Sequence, residues 1–126
     1  MTALWLVDGM NVIGSRPDGW WRDRRGAQGR LARELAGWAQ RDGARVEVIF
    51  DGAPHAISGA GGVGVAFASR RGRNAADDDI AARVEAADEP GAIRVVTSDR
   101  ELAARVRAAG GDVVGPSELR ARMDAG

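Results

Sequence analysis

The sequence predicts an α/β fold built on a mainly parallel central sheet, and three observations carry that prediction. Short apolar runs alternate with stretches whose apolar residues recur at helical spacing. Two of the runs, Leu4-Trp5-Leu6-Val7 and Val46-Glu47-Val48-Ile49-Phe50, stop at an Asp-Gly pair, the kind of turn a chain makes at the carboxyl edge of an open sheet. Strands joined through helices pair in parallel by right-handed crossovers. At 126 residues the chain has the size of a single domain spanning 1–126, with neither linker nor internal repeat.

The elements follow in order. Leu4 to Val7 is continuously apolar, as a central strand buried on both faces should be. Ser15 to Gly29, rich in Gly, Arg and Trp, reads as a loop or a frayed helix start. From about Gln28 to Arg41, Leu31, Leu35, Trp38 and Ala39 mark a helix that stops at Gly43. Val46 to Phe50 is the second strand. Ala53 to Gly64 is a mobile loop on composition, and Val63 to Ala68 is a short, weak strand. Asp77 opens a helix with Ile80, Val84 and Ala87 inward, ended before Pro90. Ile93 to Val96 is a strand, and a helix from Asp99 points Leu102, Ala103 and Val106 inward. Asp112 to Val114 is a last strand, and Pro116-Ser117 opens a terminal helix with Leu119 and Met123 inward.

Composition excludes several classes. There is no cysteine, hence no disulfide, thiolate zinc site or cysteine nucleophile. No apolar run approaches the ~20 residues that cross a bilayer. Met1 to Trp5 lacks the basic region of a signal peptide, so no membrane partner and a cytoplasmic location are expected. Every cation of the 18 Lys plus Arg is Arg, balanced by 18 acids, so the net charge is zero. Without Lys a P-loop is excluded. Gly59-Ala60-Gly61-Gly62-Val63-Gly64 matches a dinucleotide fingerprint formally, but a strand follows it where a helix should start; it reads as a flexible lid or hairpin turn.

Chemistry is expected from Asp8, Asp51, Asp77 and Asp99, which stand where apolar runs end or helical patterns begin. Asp77 lies three residues before Ile80 and seven before Val84, and Asp99 has the same relation to Leu102 and Val106, so both top a stripe that faces the sheet. Asp78 and Asp79 should turn toward solvent or help cap their helix. Asp77 and Asp99 taken singly read as helix caps. Asp8 and Asp51 cap nothing obvious, and the set together is better explained by a shared divalent cation. Carboxylate oxygens suit Mg2+ or Mn2+, with Asn11 and Ser98 placed to orient a ligand or water.

In order along the chain, Leu6-Val7-Asp8-Gly9-Met10-Asn11-Val12-Ile13, Val48-Ile49-Phe50-Asp51-Gly52, Val65-Ala66-Phe67, Ala76-Asp77-Asp78-Asp79-Ile80 and Val96-Thr97-Ser98-Asp99 resemble the NYN branch of the PIN-like nucleases, specifically the bacterial YacP-like group. The resemblance implies a PIN-like Rossmannoid three-layer sandwich with strand order 3-2-1-4-5 and a metal-dependent endoribonuclease acting on RNA. Carried over by position, Asp8, Asp77 and Asp99 form the acidic core, Asn11 and Ser98 support it, and Asp51 is more peripheral. Two positions depart from the pattern: Arg73-Asn74-Ala75 holds no acid where relatives often carry one, and Met10 replaces a frequent aromatic.

Around that core, Arg70, Arg71 and Arg73 are expected either to grip substrate phosphates or to be solvated loop charges. Trp20 and Trp21 read as packing beside the first helix, with stacking on unpaired bases the sharper reading. His55 reads as a loop residue. The competing expectation is a non-catalytic RNA-binding or ribosome-associated module on the same fold. A phosphatase using Asp8 as nucleophile is opposed by Met10, where such sites want a second acid, and by the absence of Lys. A neighbouring copy could complete a basic groove, so an oligomer stays open.

Overall fold

The computed structural model describes residues 3–72 and 74–125. Five strands, β1 (Leu4–Asp8), β2 (Arg45–Phe50), β3 (Val63–Phe67), β4 (Ile93–Val96) and β5 (Asp112–Val114), form one sheet in the order β3-β2-β1-β4-β5. All four pairings are parallel, so every strand delivers its C-terminal end to the same edge. The strand order is the one the family resemblance implies, and the parallel pairing is the one the alternating pattern predicts.

The helices are α1 (Gly9–Gly14), α2 (Arg24–Asp42), α3 (Ala75–Ala86), α4 (Arg100–Ala108) and α5 (Pro116–Asp124). They cover both faces of the sheet because side chains alternate along a strand. Trp5 and Val7 of β1 enter one core with Leu31, Leu35 and Trp38 of α2 and Leu119 of α5. Leu6, between them, enters the other with Ile80 and Val84 of α3 and Leu102 and Val106 of α4. Trp5 and Trp38 meet edge to face at 5.1 Å, and Trp38 Nε1 donates to Asp42 Oδ2 at 2.8 Å. No described helix is long and apolar enough to cross a membrane.

One element had no sequence reading, and two local readings are corrected. A short helix, α1, follows β1 directly, with Val12 and Ile13 buried. The α2 helix starts at Arg24, ahead of its apolar stripe, because Asp23 accepts from Gly26 N at 3.0 Å and caps an arginine-rich first turn. The segment before β3 is no hairpin turn, since β2 and β3 are parallel and a parallel pair needs a crossover. It lies on α2 instead: Ala60 is buried against Ala32 and Ala36, and Arg33 Nη1 donates to Ser58 O at 3.4 Å.

Candidate metal centre

Register places the first acid. Val7 pairs with Val96, so Asp8 ends β1 level with the turn after β4, and Thr97 Oγ1 donates to Asp8 Oδ2 at 2.9 Å. The same hydroxyl accepts from Asp99 N at 3.1 Å, which ties the two acid-bearing turns together. Gly9 is required by closeness: a Cβ there would stand 2.4 Å from Phe50 Cδ1. Asp8 is 4% exposed. Burial pushes its carboxyl up to about 7; the Thr97 hydrogen bond opposes this, and the charges of Asp77, Asp51 and Asp99 add to it.

The other three acids arrive from separate elements. Asp77 sits in the first turn of α3, above the buried Ile80 and Val84, with no hydrogen-bond partner among the described residues. Its carboxyl is raised by burial first, then by Asp99, Asp51 and Asp78, with Arg105 opposing. Asp99 caps α4, its Oδ1 accepting from Leu102 N at 2.9 Å. Asp51 also caps a helix, contrary to the expectation that it caps nothing: its Oδ1 accepts from Ala76 N at 3.0 Å across the gap between β2 and α3. Asn11 Oδ1 accepts from Ser98 N at 2.8 Å and from Ser98 Oγ at 3.0 Å, clipping α1 to the turn after β4.

Asp8, Asp51, Asp77 and Asp99 thus form one field of like charge, and none forms an ion pair among the described residues. Each keeps at least one carboxylate oxygen outside the protein's own hydrogen bonds. An uncompensated all-oxygen donor set of this kind fits Mg2+ or Mn2+ in chemistry. The spacing is looser than the chemistry: no three His, Asp or Glu side chains among the described residues stand together closely enough to hold an ion as placed. Repulsion between like charges acts over longer distances than coordination bonds do, so both observations hold, and an ion would have to draw the carboxylates inward.

The arginines near α3 divide into paired and open side chains. Arg70 and Arg105 both pair with Asp78, Arg105 at 2.8 Å, and these contacts hold the Asp78 carboxyl below its usual range. Asp79 accepts from Ser69 N at 2.6 Å and Ser69 Oγ at 2.8 Å. Arg71 is exposed with no ion pair among the described residues, and Arg73 lies outside them. Two features had no reading in the sequence. Arg100 and Arg107 line an open groove with Thr97 and Ser98 on the β5 side. Gln28, 4% exposed, accepts from His55 Nε2 at 2.6 Å and donates to Asp51 O at 3.4 Å. Gln28 lies three residues before Leu31 and seven before Leu35, on the buried face of α2, and a polar residue on that stripe is the sequence signal for the link.

The sequence matches the YacP-like NYN domain family over residues 5–126. Among solved structures, a tryptophan-to-leucine mutant of Rae1 (YacP) from Bacillus subtilis is similar at 26% identity and a TM-score of 0.78, covering 98% of this chain and 76% of that one. Another structure of Rae1 (YacP) from Bacillus subtilis is similar at 27% identity and a TM-score of 0.73, covering 99% and 75%. No curated protein matches the sequence. With a family match that runs from β1 to the end of the chain, and a fold shared with those structures, the chain belongs to the YacP-like NYN domain family.

Proposed function

We propose that this chain is a metal-dependent endoribonuclease that hydrolyses RNA phosphodiester bonds at the carboxyl edge of its sheet, in the cytoplasm. The observation that carries the reading is the set of four aspartates from four separate turns, each unpaired by any described cation and two of them with raised carboxyls. Family membership supports nuclease chemistry on this fold.

Mg2+ or Mn2+, when bound, would supply an activated water and neutralise charge building on the scissile phosphate. Asp8, Asp77 and Asp99 would hold it, with Asp51 at the margin. Thr97 fixes the Asp8 carboxylate and the Asp99 backbone through one hydroxyl. The Asn11 clip to Ser98 fixes the distance between the β1 and β4 turns, and so between Asp8 and Asp99. Arg71 and the groove arginines Arg100 and Arg107 supply exposed charge for flanking phosphates, while Arg70 shares its charge with Asp78.

The test is cleavage of single-stranded and structured RNA by the purified protein with Mn2+, beside an Asp77→Asn variant of matched thermal stability. Cleavage is expected from the native protein and a loss of at least about a hundredfold in the variant, the scale at which a catalytic electrostatic contact acts. Equal activity in the two removes the catalytic assignment. The second reading is an RNA-binding or ribosome-associated module without turnover, and the looseness of the carboxylate spacing favours it. Tight RNA binding with no cleavage at any Mn2+ concentration is its signature.

A further inference from the structure

Trp21 is 53% exposed, the one large hydrophobic side chain left open among the described residues. Its neighbour Trp20 is partly buried against the core, so the two indoles divide into an anchor and a free plate. They meet edge to face at 6.0 Å on a short 3-10 turn, Trp20–Arg22, entered through Gly19 at φ 82, a conformation that favours glycine. Burying the first ring thereby leaves the second facing water.

The charges around the pair are arginines held against aromatic faces. The Arg22 guanidinium lies 5.8 Å from the Trp21 ring centre, and that of Arg24 lies 5.8 Å from the Trp20 ring centre. Arg24 also lines, with Arg25 and Gln28, an open groove that ends at Asp51 and Gly52. Arg24 thus links the indole pair, through its contact with Trp20, to a groove that reaches the acidic edge. Asp18 and Asp23 are the acids of this segment, and Asp23 is engaged at Gly26 N.

We propose that Trp21 is a stacking plate for an unpaired base of single-stranded RNA, whose backbone then passes over Arg24 and Arg25 toward Asp51. The proposal rests on the reading that the substrate is RNA. An exposed aromatic face beside an arginine-lined groove is the arrangement that binds single strands, since every base offers a face to stack and every phosphate a charge to pair. A duplex hides its base faces inside its own stack, so the plate selects for unpaired strand.

The test is affinity by fluorescence anisotropy for a short unstructured RNA and for a blunt duplex of the same length, in EDTA, with cleavage in Mn2+ followed in parallel. Trp21→Ala is expected to bind the single strand roughly tenfold more weakly, with Trp21→Phe within about threefold of native and the duplex affinity unchanged. Because the side chain is exposed, both variants should melt with the native protein. Single-strand affinity unchanged in Trp21→Ala overturns the plate even if cleavage proceeds. Trp21-dependent binding without cleavage upholds the plate and removes the nuclease reading. If Trp21→Ala instead abolishes dimerisation in sedimentation while RNA affinity stays native, the indole is a contact between copies and the proposal fails.

Discussion

Asp8 is a carboxylate that the fold buries without giving it a cation among the described residues, and its titration carries the consequence. Its folded-state value of about 7 stands above the ordinary value of 3.8, so between those two pH values the folded protein holds a proton that the unfolded chain has released. Stability from this group therefore falls as pH rises from about 4 to about 7, and above that the full penalty, on the order of a few kcal/mol, is in place. Asp8→Asn keeps an oxygen for Thr97 Oγ1 and removes the charge. It should raise the metal-free melting temperature at pH 8, leave it near native at pH 4, and abolish both cleavage and any rise in melting temperature on adding Mn2+. Melts at the two pH values with and without Mn2+ check this; a variant no more stable than native at pH 8 would mean that the carboxylate carries no such penalty. At this scale much was legible in the sequence. The places of Asp8 at a strand end and of Asp77 and Asp99 at the starts of two helices are readable because apolar runs and helix stripes fix where those elements begin and end. The double use of Thr97 and the Asp51 contact to Ala76 are not, since each depends on which strand lies beside which.

Elements bring the acids together, and two contacts show how narrow the tolerance is. The α1 helix can leave β1 at once only because Gly9 lets the backbone pass Phe50, where a Cβ would sit 2.4 Å from Cδ1 and 3.0 Å from Ile49 O. Gly9→Ala should cost about 1–3 kcal/mol by overpacking, read by urea denaturation, and it should lower cleavage more than stability alone explains because Asp8 is the preceding residue. Native stability in this variant would show that Phe50 moves aside freely. The Asp51 cap separates structure from charge. Asp51→Asn retains an oxygen for Ala76 N and should melt close to native, whereas Asp51→Ala should lose about 1 kcal/mol with the cap. Both should weaken the Mn2+ response if Asp51 contributes to the ion, and a native Mn2+ titration in both would place it outside the site. Helix stripes such as Ile80 with Val84 and Leu102 with Val106 were readable from spacing and are buried as read. The start of α2 and the path of the segment before β3 were not, because an arginine-rich first turn has no apolar period and turn composition does not say whether the strands it joins run parallel.

Across the whole molecule, a net charge of zero means that attraction to RNA must come from where the arginines lie and not from how many there are. The strand order puts β1 in the middle, the Arg24 and Arg25 groove beyond the end of β2, and the Arg100 and Arg107 groove on the β4 and β5 side. With strands ~4.8 Å apart, β2 and β5 are separated by roughly 14 Å across the carboxyl edge, so a single strand laid across the sheet meets arginine, then carboxylate, then arginine. Zero net charge and local attraction are thus compatible, and the attraction should be short-ranged and sensitive to salt. Replacing Arg100 and Arg107 together by Ala should weaken binding evenly across RNA sequences and reduce the slope of log affinity against log salt by ~0.7 for each phosphate that an arginine no longer neutralises. Melting should stay near native because both side chains are exposed. The measurement is binding of unstructured RNA over a salt series in EDTA. A native slope in the double variant would take the strand off the β5 side and leave the Arg24 and Arg25 groove as its approach to the acids.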